Sequence, residues 1–100
     1  MNAEEKHKAF RTGDGSHEAI ALRLRCARRA AGFVRQKQLA DALGVSKTTY
    51  GHQEKQGKPP ISTIRYLYLN HRIDFNFILN GDFAQLPGDV IASLEEALRA

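Results

Sequence analysis

Gln36-Lys37-Gln38-Leu39-Ala40-Asp41-Ala42-Leu43-Gly44-Val45-Ser46-Lys47-Thr48-Thr49-Tyr50-Gly51-His52-Gln53-Glu54 carries the most informative spacing in the chain. Leu39, Ala40 and Leu43 recur at helical spacing, Gly44 interrupts them, and Ser46 offers a side-chain oxygen to the free N–H groups of a second helix. A short helix that ends at a glycine and is followed within two residues by a capping serine sets the next helix at a steep angle. The pattern predicts helix, tight turn, helix. Ala40 falls where two such helices approach closely, and a larger side chain there would push them apart. The outer side of the second helix carries Lys47, Thr48, Gly51 and His52, small or hydrogen-bonding residues of the kind that reach base edges in a major groove. Lys47 sits in the first turn, where the helix dipole disfavours a cation by about 0.3 to 1 kcal/mol. A phosphate or a guanine edge at that position offsets the penalty.

The charge distribution agrees with that reading. The chain has 100 residues and a net charge of +4, a length that predicts one domain able to fold without disulfide or metal. Residues 20–60 hold nine Lys/Arg and two Asp/Glu, so the remainder is net acidic. A basic block coincident with the two-helix motif is what phosphate binding needs, because each neutralised phosphate releases condensed counterion. The lone Cys26 has no partner for an intramolecular bridge, and no apolar run matches a membrane span or a signal peptide, so an intracellular, cytoplasmic protein without membrane association is expected.

Outward from the motif, residues 1–15 are poor in apolar side chains, mixed in charge and broken at Gly13-Asp14-Gly15, which predicts a mobile arm. Ser16 caps a first helix that Gly32 ends, with Ile20, Leu24, Ala27 and Ala31 on one face. Arg28 and Arg29 near its C-terminus suit the dipole. Arg23 and Arg25 lack that reason. For these two, a DNA-phosphate contact by one of them and a plain solvated face are both open readings, and Arg23 is the phosphate candidate carried forward. Phe33 anchors the connection, and Gln36 at the next helix start can place its amide against a phosphate beside free N–H groups or serve as a local cap, with Arg35 a further phosphate candidate. After Glu54, Lys55-Gln56-Gly57-Lys58-Pro59-Pro60 reads as a loop presenting two further phosphate candidates, Lys55 and Lys58. Ile61, Ile64, Leu67 and Tyr68 then form a stripe predicted to be core, and Asp74 caps a short helix that Asn80-Gly81 stops. The helix-turn-helix unit thus spans residues 16–82. In residues 83–100, Val90, Ile91, Leu94 and Leu98 make one more amphipathic helix, which either folds back on the bundle or pairs with a second chain.

Taken together, Arg23-Leu24-Arg25-x-x-Arg28, Gln36-x-x-Leu39-Ala40-x-x-Leu43-Gly44-Val45-Ser46-x-x-Thr49-Tyr50, Glu54, Gly57, Thr63-Ile64 and Ile73 to Gly81 resemble the phage repressor and Cro-like (XRE) helix-turn-helix family. The resemblance implies an all-α, compact five-helix lambda-repressor-like domain, here with an extra C-terminal helix. It also implies a transcriptional regulator, in most cases a repressor, dimeric on a pseudo-palindromic double-stranded operator and acting without cofactor or catalysis. Position by position it places Gln36 on a phosphate and turns Ser46, Lys47, Thr48 and His52 toward the groove. Three positions depart from the family pattern. Arg35 replaces Ser or Thr, Gln53 replaces a large apolar residue, and the step from Glu54 to Gly57 is one residue longer.

A second reading, from another class, is an antitoxin-like or phage-encoded adaptor whose segment 83–100 wraps a protein partner. An enzyme is not expected: His7, His17, His52 and His71 lack metal spacing, Cys26 has no nearby base in sequence, and no Gly-rich phosphate loop is present.

Overall fold

The computed structural model describes residues 1–99 as seven α-helices: α1 (Ala3–Ala9), α2 (His17–Ala30), α3 (Gln36–Leu43), α4 (Lys47–Gln56), α5 (Ile61–His71), α6 (Phe75–Asn80) and α7 (Gly88–Leu98). Among the described residues there is no strand. Local chemistry explains most boundaries. Side-chain oxygens of Ser16, Ser46 and Asp74 accept from the N–H groups of Ala19, Thr49 and Phe77 at 3.2, 3.0 and 2.9 Å, opening α2, α4 and α6. At the end of α4, Gly57 has φ +64°, and a Cβ there would stand 1.8 Å from the His17 carbonyl oxygen, so only glycine lets this turn lie against the start of α2. The core gathers Leu24, Ala27, Leu39, Ala40, Tyr50, Ile64, Leu67, Phe77 and Ile78 from α2 to α6.

Three expectations need correction. Residues 1–15 do not form an arm without structure. Asn2 and Glu5 cap α1 reciprocally, the Asn2 side chain accepting from Glu5 N at 2.8 Å and the Glu5 carboxylate accepting from Asn2 N at 3.1 Å. Phe10 is 1% exposed, with its ring edge-on to Phe77 at 5.2 Å. The segment is fastened by Arg23, which is 0% exposed and therefore no phosphate ligand. Its Nε donates to the Phe10 carbonyl at 2.8 Å, Nη2 to those of Arg11 and Asp14, and Nη1 to that of Ile78 at 3.3 Å. Composition does not reveal such an anchor, because one aromatic residue and one guanidinium from a distant helix supply it.

The predicted α5 stripe is also out of phase. Ile64 and Leu67 are buried, whereas Ile61 is 72% and Tyr68 49% exposed, and Thr63 joins the buried arc in their place. Of the two courses left open for the C-terminal helix, α7 takes the first and folds back on the bundle. Val90, Leu94 and Ala97 are buried, and Cys26 Sγ donates to the Leu94 carbonyl at 3.2 Å. The apolar stripe that motivated a C-terminal dimer or partner segment is thereby used within the chain. Burial also pushes the Cys26 thiol up to about 12, which keeps it protonated and unreactive.

His71, at the end of α5, lies edge-on to Phe33 at 5.4 Å, and its Nε2 has no hydrogen-bond partner among the described residues. Burial lowers its pKa below the ordinary 6.5. The native ring resists a proton that the unfolded chain accepts, so this contribution is complete above the ordinary value and is lost as acid is added. The melting temperature should fall between about pH 7 and about pH 5, with a shallower fall in His71→Phe, as read by thermal scans across that range. Arg23→Met, which leaves four carbonyls without their donor, those of Phe10 and Ile78 in buried hydrogen bonds and those of Arg11 and Asp14 in part-buried ones, should cost about 3 kcal/mol or more in urea unfolding.

Candidate nucleic-acid interface

Between α3 and α4 the chain needs only Gly44, Val45 and Ser46. Gly44 takes φ +72°, the Val45 N–H returns to the Ala40 carbonyl at 3.0 Å, and Ser46 caps α4. Leu39 and Ala40 are fully buried in the core that α3 and α4 share with the other helices.

Helix α4 has almost no apolar stripe with which to hold itself in place. Its inward face is Tyr50 and Glu54, and Glu54 is 6% exposed. Glu54 Oε1 accepts from Arg28 Nε at 2.7 Å and from the Tyr50 hydroxyl at 3.1 Å, while Oε2 accepts from Gln36 Nε2. Arg28 Nη1 in turn donates to the carbonyls of Phe33 and Val34 at 2.9 and 2.6 Å. One buried network therefore joins α2, the α2–α3 loop, α3 and α4. Burial, reinforced by the Glu54 carboxylate, pushes the Tyr50 phenol up, so its proton stays available as a donor. The assignment of Arg28 to the helix dipole missed this role. The signal available in the sequence was Glu54 itself, one of two acidic residues in a strongly basic block and one turn beyond Tyr50.

Two departures from the family pattern acquire local reasons. Gln53 Oε1 accepts from the Thr63 hydroxyl at 2.7 Å, a polar link between α4 and α5 in place of an apolar contact. Arg35 brings no acceptor to the start of α3, and instead the Gln38 side chain accepts from the Arg35 N–H at 2.9 Å.

With its inner face fixed, α4 turns Lys47, Thr48, Gly51, His52 and Lys55 toward an open groove of about 1100 Å³. The groove is also walled by Arg25 of α2 and by Arg35, Gln36 and Lys37 at the start of α3. Lys37 is paired with Asp41 at 2.9 Å. The structure thus brings together Lys47, Thr48, His52, Gln36, Arg35 and Lys55 of the predicted set. It does not bring in three others. Arg23 is inside the molecule, and Lys58 is exposed but outside the groove. The Ser46 hydroxyl is engaged in the cap, accepting from Thr49 N and donating to Thr49 Oγ1 at 2.9 Å. Arg25 takes the place on α2 that had been given to Arg23.

The chain matches no family model, no curated protein and no solved structure. The site therefore rests on its own geometry. Among the described residues, no group of three or more His, Cys, Asp or Glu is placed to hold a metal, and no helix is long and apolar enough to cross a membrane.

Removing one member of the buried pair should be worse than removing both. Glu54→Ala leaves Arg28 charged and buried, for an expected loss of about 3 to 5 kcal/mol, and the double variant Arg28→Met/Glu54→Leu should lose less than Glu54→Ala alone in urea denaturation.

Proposed function

We propose that the protein is a sequence-specific double-stranded DNA-binding regulator of the helix-turn-helix kind, acting as a repressor by occupying a promoter. In this reading α2 to α6 form the lambda-repressor-like five-helix unit, and α1 and α7 are additions that brace it. The observation that carries the proposal is the two-sidedness of α4: Tyr50 and Glu54 are locked inward, while Lys47, Thr48 and His52 face an open groove rimmed with cations. A helix held this way presents side chains that can donate to base edges, with guanidinium and ammonium groups lining the same groove to attract the phosphates.

Lys47, Thr48 and His52 are assigned to the bases, and Arg25, Arg35 and Lys55 to the phosphates. Lys58, further out, adds at most a peripheral phosphate contact. Reading a pseudo-palindromic operator calls for a two-fold dimer, whose interface has to use a surface other than the buried stripe of α7. The place of action is the bacterial cytoplasm, where such DNA lies.

Binding of the purified protein to a duplex selected from a random pool, compared with an unrelated duplex, tests this reading. Lys47→Ala should lose about 1 to 3 kcal/mol on the selected site and little on the unrelated one. Arg25→Ala should weaken both alike and lower the salt slope by about one. Absence of duplex binding at low salt would refute the proposal.

A further inference from the structure

Gly51 stands in the middle of the exposed face of α4, where glycine weakens a helix relative to alanine. A Cβ at this position would lie 3.2 Å from Gln36 Oε1, so the carboxamide of Gln36 reaches across from α3 into the space that the missing side chain leaves. The orientation of that carboxamide is fixed by chemistry. Gln36 Nε2 donates to Glu54 Oε2, and a carboxylate paired with Arg28 only accepts. The amino end must face Glu54, which leaves the carbonyl oxygen over Gly51, and both Gln36 and Gly51 line the groove.

Resting on the DNA-binding reading, we infer that Gln36 is a specificity-determining residue: its Oε1 accepts a hydrogen bond from an exocyclic amino group in the major groove, cytosine N4 or adenine N6, instead of holding a phosphate. A phosphate oxygen is an acceptor and gains nothing from the carbonyl end that lies over Gly51; of the two N–H bonds of the carboxamide, one is spent on Glu54 Oε2. In the major groove the donors offered by the bases are the cytosine N4 and adenine N6 amino groups, so an outward acceptor selects for one of them. Gln36 then reads the operator beside Lys47, Thr48 and His52. The Glu54 network becomes a positioning device as well as a core element, because it sets which end of the amide meets the DNA.

The test is selection from a random duplex pool with the wild-type protein, Gln36→Ala and Gly51→Ala, each checked for retained helical circular dichroism. Gly51→Ala favours the helix and displaces Oε1, so it probes the same contact without deleting the side chain. The expected result is a wild-type motif with one position per half-site restricted to cytosine or adenine. That preference should relax by about tenfold in both variants while the other positions keep theirs. A motif that survives at every position in Gln36→Ala, with affinity lowered uniformly across sequences, would make Gln36 a phosphate contact and overturn the inference alone. A wild-type pool that shows no enrichment would remove the DNA-reading proposal itself, and this inference with it.

Discussion

The buried ion pair between Arg28 and Glu54 is the constraint on which the arrangement of the helices around the groove depends. Taking both charges out of water is unfavourable, and here the cost is offset by geometry: Arg28 donates to a carboxylate and two carbonyls, while Glu54 accepts from an arginine, a phenol and an amide. Apolar packing alone would need a hydrophobic stripe along α4. With the pair in place, α4 is held by one tyrosine and a hydrogen-bonded carboxylate, and the rest of its circumference is free to be polar. Arg23 follows the same logic midway along α2, where a buried guanidinium satisfies carbonyls from residues 10–14 and from α6. One helix thus carries two internal hubs, and each holds a segment distant in sequence.

This use of arginine redistributes the charge seen from outside. Of the nine cations in residues 20–60, Arg23 and Arg28 are inside the molecule. Arg25, Arg35, Lys37, Lys47 and Lys55 converge on a single groove. A field concentrated in a concave site attracts a polyanion more strongly than the same charge spread over the surface, and it does so with a marked dependence on salt.

Elements set by neighbouring residues were legible in the sequence. Ser16, Ser46 and Asp74 cap where a capping oxygen before a helical run predicts, and Gly44 turns where a left-handed residue is needed. Contacts over long separations were not. Helix α1 depends on Phe10 meeting Phe77 and on Arg23, 13 residues beyond Phe10. Arg23 shows how the error arose: it lies three residues after Ile20 and four before Ala27, squarely in the phase of the buried face, but its charge argued for solvent. Arg25, two residues on, points to the other side of α2 and reaches the groove. In α5 the same problem runs in reverse, since Ile61 and Tyr68 are apolar by type yet lie outside the arc marked by Thr63, Ile64 and Leu67. On the outer face of α4 the polar character was readable, whereas the seating of Gln36 over Gly51 was not, because it depends on the relative placement of two helices.

In the proposed function, the outer face of α4, together with Arg25 and the start of α3, is where the molecule meets duplex DNA. Titration of isotope-labelled protein with a short duplex, followed by amide chemical shifts, tests it most directly. The account predicts that the largest shifts cluster at Lys47, Thr48, Gly51, His52, Arg25 and residues 35–37, with α1 and α7 nearly unchanged. Shifts confined to the exposed face of α5 around Ile61 and Tyr68, or to α7, with α4 unperturbed, would contradict it.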